Sequence, residues 1–372
     1  MHAQRVRRYA PIAILPLLAL VAAAPAQASP GPRVTTGVTV HKAVDKAASH
    51  PLAAYVWSEG DKYYSYNSTG KAIKVTDLST PGDYEVVVDG LGRIGGDAIV
   101  GVTAYDTTNT CEVNGWSPSG ANLDAFVGCD NFDGDPTATL FDLVVTRPTS
   151  PPHGVYDYSF VYDSTASGTL TTYQYNSAHK KNKVKFLGTG RYQVTLGGAK
   201  SSGTHGTVQV SMYGFHGGEC DLVGWHGSRA GEIVDVDCFN INGVLADSEF
   251  TLIYASAGNL LGLNARATAN AYNNRSSAAS YQPKVQYDSV RHAKVTIKNI
   301  GSGLYEVIFK GSEGTPANGG DVQVTTIGVN SQVCTVSYWL QSKTPTAVIS
   351  CVVESDGASL FDAQFVVNWI VA

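Results

Sequence analysis

The chain repeats one cysteine–tryptophan skeleton three times, and this repeat constrains the fold more than any other feature. Each copy contains a Tyr-x-Val strand, a Cys-x-Val/Leu-x-x-Trp strand, a second cysteine and an Asn-Gly or Asp-Gly turn. Such a repeat indicates one structural unit used several times, so we expect most of its residues to serve the fold. In chain order the skeleton residues are Cys111, Trp116, Cys129, Asp133 and Gly134; Cys220, Trp225, Cys238, Asn242 and Gly243; and Cys334, Trp339, Cys351, Asp356 and Gly357.

Residues 1–28 have the pattern of a secretory signal peptide. Arginines at positions 5, 7 and 8 form a positive region, residues 12–24 are largely apolar, and Ala26-Gln27-Ala28 is a small-residue cleavage site. The apolar stretch is too short, and too interrupted by proline, to predict a membrane span. Residues 29–51 are rich in Pro, Thr, Ala and Gly, which predicts a flexible spacer. We therefore expect a secreted, extracellular protein without a membrane span.

The charge balance of the mature chain argues against a nucleic-acid partner. The leader carries three arginines and no acidic residue, so its removal takes the formal net charge from −5 to −8. Binding to phosphates needs clustered Lys and Arg. The dense basic spot of the sequence is Lys180-Lys181-Asn182-Lys183. We interpret it as a solvated turn between two strands.

Six cysteines in an exported chain predict three disulfides. Each copy contains two of them, 18, 18 and 17 positions apart, so the repeat selects one pair per copy. In the first copy the two cysteines lie almost symmetrically about Pro118-Ser119-Gly120, which predicts a bridge that clamps the base of a hairpin. Zinc sites are the alternative, but the chain has no Cys-x-x-Cys spacing. The predicted structural pairs are Cys111–Cys129, Cys220–Cys238 and Cys334–Cys351.

Alternating apolar and polar segments predict an all-β fold. The segment Tyr84-Glu85-Val86-Val87-Val88 recurs as Tyr192-Gln193-Val194-Thr195-Leu196 and as Tyr305-Glu306-Val307-Ile308-Phe309. Period-two runs of β-branched and aromatic residues between Gly, Asn and Ser are typical of strands. We expect three tandem antiparallel β-sandwich modules, Ig-like or jelly-roll-like, with seven or eight strands and one disulfide each.

The repeat also predicts the module boundaries. The modules are predicted at 52–147, 156–255 and 267–372, joined by a proline-rich linker at 148–155 and a more apolar one at 256–266. Three leucines at positions 260, 261 and 263 suggest that the second linker packs between modules.

Two groups of polar residues have side chains of the kind found in metal or proton-transfer sites. Residues 130–135, Asp-Asn-Phe-Asp-Gly-Asp, are similar to part of a calcium loop, but no bidentate glutamate follows. We interpret them as a turn of type I′, which Asp-Gly and Asn-Gly favour. The second copy holds potential ligands without a metal-binding spacing, and we interpret them as loop residues. They are His205, His216, Glu219, Asp221 and His226. No metal site and no cofactor is predicted.

Aromatic side chains give the only weak candidates for ligand binding. Tyrosines at positions 66, 175 and 287 recur with the module period, so we expect them in the core or between sheets. Trp57, Tyr63 and Tyr64 do not recur and are freer to stack on a ligand such as a sugar ring. No Gly-x-Ser-x-Gly elbow or Ser–His–Asp set indicates a nucleophile, so no catalytic residue is predicted.

The assembled repeat resembles a largely uncharacterised family of secreted actinobacterial proteins with tandem β-modules. The resemblance is carried by Ala54-Tyr55-Val56-Trp57, by Gly188-Thr189-Gly190-Arg191-Tyr192 and by the segment from Cys220 to Trp225. It covers nearly the whole mature chain and implies an extracytoplasmic location and β-rich modules, but no catalytic or binding residue. The first copy departs from it at Pro81-Gly82-Asp83, which we interpret as loss of the leading glycine.

These features favour a secreted, non-enzymatic multi-module protein that presents binding surface outside the cell. Triplication raises avidity through effective concentration. The ligand could be a glycan, the cell envelope or a protein. The alternative is a secreted hydrolase that uses carboxylates of a single module, and its candidate residues are Asp221, Glu232, Asp235 and Asp237.

Overall fold

The described residues form strands and turns, which confirms the predicted all-β class. The structure is a computed structural model, and it describes residues 52–59, 65–92, 98–147, 157–168, 170–199, 206–214, 217–256, 258, 260–262, 267–290, 292–311, 320–340, 342, 344–353 and 359–372. Nowhere in these segments is there a helix long and apolar enough to cross a membrane. The predicted signal peptide, the spacer and the linker at 148–155 lie outside them.

The described residues contain 25 strands, which we group by the predicted module boundaries. The first module contains β1 (Leu52–Trp57), β2 (Ser65–Asn67), β3 (Ile73–Asp77), β4 (Asp83–Val88), β5 (Ile99–Tyr105), β6 (Thr110–Ser119), β7 (Asn122–Asp130) and β8 (Leu140–Arg147). The second contains β9 (Tyr158–Asp163), β10 (Leu170–Asn176), β11 (Lys183–Gly188), β12 (Arg191–Gly197), β13 (Thr207–Tyr213), β14 (Gly218–Gly227), β15 (Gly231–Asn240) and β16 (Glu249–Ala255). The third contains β17 (Ala267–Asn273), β18 (Ser280–Tyr281), β19 (Gln286–Asp288), β20 (Thr296–Gly301), β21 (Leu304–Ile308), β22 (Asp321–Ile327), β23 (Gln332–Leu340), β24 (Thr346–Val353) and β25 (Gln364–Val371).

Each predicted module is split into two half-sheets that face each other across a buried apolar core. In the first module one half-sheet contains β1, β2, β5 and β8, and the other contains β3, β4, β6 and β7. Alternate residues of both half-sheets, such as Val86, Val113 and Leu143, are fully buried between them. Side chains of successive strand residues point to opposite faces, so the remaining residues of each half-sheet face outward from this core.

The half-sheets of different modules join edge to edge, so every sheet belongs to two modules. The sheet of nine strands combines modules one and three, and the two sheets of eight strands combine modules one and two, and modules two and three. Each junction is a parallel pairing and includes a backbone hydrogen bond at its end. The N···O distances are 3.0 Å from Gly214 to Val113, 2.8 Å from Gly328 to Leu222 and 2.7 Å from Asp106 to Val336. Three such junctions close the modules into a ring.

Strands β5, β13 and β22 contact one another at the centre of the ring, which we call the axis. At the same position of each strand a hydroxyl side chain accepts the backbone N–H of a valine in another module. The N···O distances are 3.0 Å from Val102 to Ser211, 3.2 Å from Val210 to Thr325 and 3.2 Å from Val324 to Thr103. Because these N–H groups are buried, the hydroxyls remove a desolvation cost that each strand would otherwise carry.

A second axial layer breaks the threefold pattern. The Gln209 side-chain amide donates to Gln323 Oε1 at 2.7 Å, whereas the equivalent position of the first module is Gly101. A Cβ atom on Gly101 would lie 3.3 Å from a Val144 methyl and 3.6 Å from the Gln209 side chain. Glycine therefore leaves room for the two glutamines at the axis.

The predicted disulfides are confirmed. Each bridge joins directly opposed residues of one antiparallel hairpin, formed by β6–β7, β14–β15 or β23–β24. The Cα–Cα distances are 4.1 Å for Cys111–Cys129, 4.0 Å for Cys220–Cys238 and 4.1 Å for Cys334–Cys351. The bridges therefore clamp the hairpins whose outer strands form the junctions of the ring.

The recurring tyrosine and its preceding glycine occupy the same environment in all three modules. Rings of Tyr84, Tyr192 and Tyr305 pack edge-on against a phenylalanine of the last strand of their module, at centroid distances of 5.0, 5.2 and 5.2 Å. Our interpretation that the first copy loses the leading glycine is wrong. Gly82 has φ +85°, and its counterparts Gly190 and Gly303 have +67° and +62°.

Close backbone approach explains why only glycine occurs at this position. A Cβ atom on Gly82, Gly190 or Gly303 would lie 2.4, 2.6 or 2.5 Å from the carbonyl oxygen of the second cysteine of its module. The same glycine carbonyl accepts the N–H of that cysteine. The left-handed φ and the close approach together fix the turn before β4, β12 and β21 against the disulfide.

In the first two modules the recurring tryptophan packs against the neighbouring module. The Trp116 ring lies 5.2, 5.9 and 5.7 Å from the rings of Tyr162, Tyr173 and Tyr213, all in module two. Trp225 of module two lies 5.4 Å from Tyr272 of module three. These two tryptophans therefore belong to junctions of the ring, whereas the ring of Trp339 lies 5.4 Å from that of Trp369 in its own module.

An apolar cluster fills the space between the modules. It combines fully buried residues of modules one and two with Ile370 of module three, and the second linker adds Leu260 and Leu261. The Tyr158 hydroxyl donates to the Leu260 carbonyl at 2.8 Å. These two leucines pack between modules as the sequence suggests, and Leu263 lies outside the described residues.

Candidate functional site

The three bridged hairpins meet around one small cavity on the axis. The cavity has a volume of about 60 Å³, and Cys111, Cys220 and Cys334 all line it. We call this end of the ring the disulfide end. A volume of this size accommodates one or two water molecules rather than an organic ligand. Glu219 and Asp221 of the second module also line the cavity and are buried.

The carboxylates of the hydrolase hypothesis do not form one group. Asp221 and Asp237 are directly opposed on β14 and β15, on the outer face of the sheet, and Asp235 is on the same face. Glu232 differs from Asp235 and Asp237 in strand parity, so it points to the opposite face. Asp235 accepts a hydrogen bond from Gln193 at 2.9 Å.

The pKa of Asp237 is raised above its ordinary value. Burial is the main cause, the Asp235 charge adds to it, and the Arg191 guanidinium, 3.7 Å from the Asp237 carboxylate, opposes it. The pair Asp221–Asp237 is therefore the one part of the hydrolase hypothesis that the structure brings together.

The potential metal ligands of the second module are spread along β14. Glu219 and Asp221 are buried near the axis, whereas His226 is exposed near the other end of the same strand. Asp221 and His226 are five positions apart on the strand, a distance of about 16 Å. His205 and His216 lie outside the described residues. No group of three or more potential metal ligands occurs in the segments that the structure describes.

The segment similar to a calcium loop is a turn held by an asparagine side chain. The Asn131 Oδ1 atom accepts the N–H groups of Asp133 at 2.9 Å and of Asp135 at 3.0 Å. The Asn240 side chain makes the same two bonds in module two. The predicted type I′ geometry is wrong, because only the glycine of each pair, Gly134 or Gly243, has a positive φ. The asparagine side chain stabilises the turn, so only one left-handed residue is needed.

Of the aromatic candidates, Trp57 is half-buried and packs edge-on against Tyr105 at a centroid distance of 5.3 Å. Tyr63 and Tyr64 lie outside the described residues. The recurring Tyr66 packs against Tyr55 at 5.6 Å, in the cluster between modules. The structure therefore places Trp57 in an aromatic contact and leaves the other two candidates without a described position.

Exposed aliphatic side chains at one hairpin of each module were missed by the sequence analysis. Leu78, Leu187 and Ile300 are 41, 49 and 54% exposed. Each precedes the recurring left-handed glycine, by four residues in the first module and by three in the others. Alignment of the segments before those glycines could have found them. We call these three residues the tip residues.

The tip residues lie at the disulfide end, because the turn that follows each of them is bonded to a bridged cysteine. Beside Ile300, Leu360 and Phe361 are also exposed, at 39 and 46%, and the Ser302 hydroxyl donates to the Leu360 carbonyl at 3.1 Å. Beside Leu78, a groove of about 480 Å³ extends along the turn before β4 to Thr139 and Leu140.

A pair of buried carboxyl groups connects modules one and three near the axis. Asp142 on β8 and Asp321 on β22 both have no solvent exposure. Burial raises the pKa of both groups, and the Asp321 charge raises that of Asp142 further. The Trp339 indole N–H bonds to Asp142, and the Gln323 amide donates to Asp321 at 2.8 Å, which lower the two pKa values in part.

Comparisons with protein families, with curated proteins and with solved structures found no match to this chain.

Proposed function

We propose that the protein is a secreted, non-enzymatic binding protein that presents the tip residues of its three modules to a ligand outside the cell. The recurrence of an exposed aliphatic side chain at Leu78, Leu187 and Ile300 carries this proposal. Single exposed apolar residues are common on protein surfaces. An exposed apolar residue before the same glycine in three modules supports a common use.

The surroundings of the tip residues support a rigid binding surface. Each tip precedes a turn that is fixed by a left-handed glycine and by a hydrogen bond to a bridged cysteine. A rigid loop loses little conformational entropy when a ligand binds, so more of the contact energy is retained as affinity. Disulfides are typical of extracellular proteins and are consistent with secretion.

A closed ring holds three such tips in one assembly, which favours a ligand with repeated units. Once one module binds, the second and third contacts become intramolecular, and overall affinity rises without any new type of contact. A glycan, a cell-envelope polymer and a protein array all have repeated units of this kind.

The test compares wild-type protein with a triple variant, Leu78→Ser, Leu187→Ser and Ile300→Ser. Glycan arrays and cell-envelope preparations serve as ligands. We expect each single substitution to weaken retention roughly tenfold and the triple variant to lose it, because avidity multiplies the separate contacts. A control triple variant, Val223→Ser, Val290→Ser and Leu340→Ser, removes aliphatic residues that are also exposed but are not tips.

Both triple variants should unfold at the temperature of the wild type, because the altered side chains are exposed. Equal loss of retention in the tip and control variants would contradict the proposal, and so would undiminished retention of the tip variant.

A secreted hydrolase is the second candidate, and the opposed pair Asp221–Asp237 favours it. Directly opposed strand residues have Cβ atoms about 5 Å apart. This spacing is compatible with two carboxyl groups that act on one bond. Hydrolysis of a generic ester or glycoside substrate by wild type, and its loss in Asp237→Asn, would favour this function over binding.

A further inference from the structure

Four lysines lie within six residues at an outer edge of the ring, in module two. Lys180 and Lys181 precede β11, and Lys183 and Lys185 lie on it. All four are exposed. Strand β11 is the last strand of its sheet, so one of its edges faces away from the ring. The sequence interpretation as a turn therefore holds for the first two lysines, whereas the others belong to a strand.

The strand geometry aligns Lys183 and Lys185 on one face. Residues two apart on a strand point to the same side, about 6.5 Å from each other. The opposite face is anchored, because Phe186 packs edge-on against the buried Tyr192 at 5.8 Å. The Lys180 stem lies against Gly198, where a Cβ atom would meet its Cδ at 2.7 Å. The four lysines, which we call the lysine row, are therefore held on a fixed backbone.

The residues directly opposite Lys183 and Lys185 on the neighbouring strand β12 carry no charge. Across the strand pair, Lys183 faces Thr195 and Lys185 faces Gln193, and neither partner is charged. Farther along the same face lie Arg191, which is also cationic and 56% exposed, and the carboxylates of Asp235 and Asp237 on β15. These carboxylates already have partners, because Asp237 pairs with Arg191 and Asp235 accepts a hydrogen bond from Gln193. Four like charges in six residues repel one another and favour binding of an anion.

The chain as a whole has a formal net charge of −5. In module three the corresponding strand, β20, is covered by β18, and its Lys298 pairs with Glu306 at 2.6 Å. The equivalent edge strand of module one, β3, carries only Lys74, with Lys71 before it. A linear row of cations on an acidic protein is complementary to a linear polyanion, since binding releases the counterions condensed on the polymer.

We propose that the edge formed by Lys180, Lys181, Lys183 and Lys185 binds an anionic polymer with a phosphate backbone. The inference deepens the proposed binding function, on which it rests, because Leu187 lies at the end of the same strand. The two sources of such a polymer are free polyphosphate and phosphodiester polymers of a cell envelope. The tip residue then contacts the polymer's neighbouring groups, while the lysines determine the charge preference.

The experiment measures binding of the mature protein to labelled inorganic polyphosphate between 50 and 200 mM salt. Four lysine contacts to a flexible polyanion predict a slope of log affinity against log salt of about −3, a loss of roughly 50-fold over this range. In the quadruple variant, Lys180→Gln, Lys181→Gln, Lys183→Gln and Lys185→Gln, the slope should approach zero. The control variant Lys71→Gln, Lys74→Gln and Lys284→Gln should keep the slope of the wild type.

Competition identifies the polymer. A purified phosphodiester polymer of a cell envelope should displace polyphosphate from the wild type, and an uncharged glycan should not. Tighter binding of single-stranded DNA than of polyphosphate would overturn the proposal, because base stacking would then determine the affinity.

The two proposals fail in different ways. Absence of polyphosphate binding, or a salt slope unchanged in the quadruple lysine variant, would overturn this inference and leave the tip-residue test unaffected. Loss of retention in the tip variant with polyphosphate binding intact would support both. The variants are compared at equal folded fraction, measured by circular dichroism.

Discussion

Replacement of Trp116 by alanine is expected to lower the free energy of unfolding of the whole protein by about 3 kcal/mol, a typical cost for removing a packed tryptophan. The ring of Trp116 contacts Tyr162, Tyr173 and Tyr213 of the neighbouring module, so its loss opens one junction of the ring. Aromatic pairs in this geometry contribute beyond their buried area. Thermal unfolding should shift downward by roughly 5 °C for a chain of this size.

Two further variants make this result specific to the junction. Trp116→Phe retains an aromatic ring and should recover more than half of the loss. Tyr338→Ala removes an aromatic side chain that is 47% exposed, and its unfolding temperature should stay close to that of the wild type. A Trp116→Ala protein as stable as the wild type would show that the junction contributes nothing to folding.

Replacement of Asp142 by asparagine is expected to stabilise the protein at pH 8, by about 2 kcal/mol, and to have little effect at pH 4. Asn has nearly the same shape but cannot ionise, so it removes the cost of a buried charge at this site. Asp142 and Asp321 have no solvent exposure and are close enough for the charge of one to raise the pKa of the other.

The fall in stability with rising pH follows from the number of protons that the folded and unfolded states bind. The pKa values of both carboxyl groups are raised in the folded protein, above the ordinary value of 3.8 that applies after unfolding. The folded state therefore holds more protons than the unfolded state over the range between the two values. Stability is greatest below the ordinary pKa and falls as the pH rises through the raised ones.

Two phenols interact with this pair of carboxyl groups. The Tyr105 phenol faces Asp142, and burial together with this carboxyl raises its pKa to about 12. The Tyr55 phenol interacts with Asp321, and its pKa is also raised, mainly by burial. Both phenols are neutral over the tested range, so they add no negative charge beside the pair.

Chemical denaturation at pH 4, 6 and 8 checks this expectation. The stability of the wild type should fall more steeply with pH than that of Asp142→Asn, and the two curves should converge at pH 4. Other buried carboxyls, such as Asp163 with a pKa raised to about 7, contribute equally to both proteins. Asp133→Asn, on an exposed turn, should follow the wild type. A variant less stable than the wild type at pH 8 would contradict the account of this pair.

Strand positions and disulfides could be predicted from the sequence because their signals are local. A period-two pattern fixes which face of a strand is buried, and two cysteines at one spacing per copy fix the pairs. The glycine with positive φ was missed in the first copy, because the Gly-x-Gly pattern of the other two copies begins there with Thr80 instead of glycine.

The ring itself could not be predicted, for two physical reasons. Edge-to-edge pairing uses backbone N–H and C=O groups, which are the same in every residue, so the bond from Gly214 to Val113 leaves no pattern in the side chains. In a closed ring each copy also has the same neighbours. Junction residues such as Trp116 therefore recur as regularly as core residues do, and recurrence alone cannot separate them.

Recurrence in the sequence also failed to identify the candidate site. Recurrence indicated residues of the fold, and we expected function only among residues that do not recur, such as Trp57. The tip residues recur in chemical class rather than identity, as Leu, Leu and Ile, and only their exposure distinguishes them from core positions. The exposure of a side chain near the end of a hairpin depends on which residues pack beside that side chain. A local sequence pattern does not encode this packing.

Calorimetric unfolding of the mature, disulfide-intact protein tests the closed ring most directly. A ring whose sheets each belong to two modules should unfold in one cooperative transition. Its van't Hoff enthalpy should then equal the calorimetric enthalpy, roughly 200 kcal/mol for the three modules together. Two or three separable transitions, each with a van't Hoff enthalpy of about 70 kcal/mol, would show that the modules fold independently and would contradict the ring.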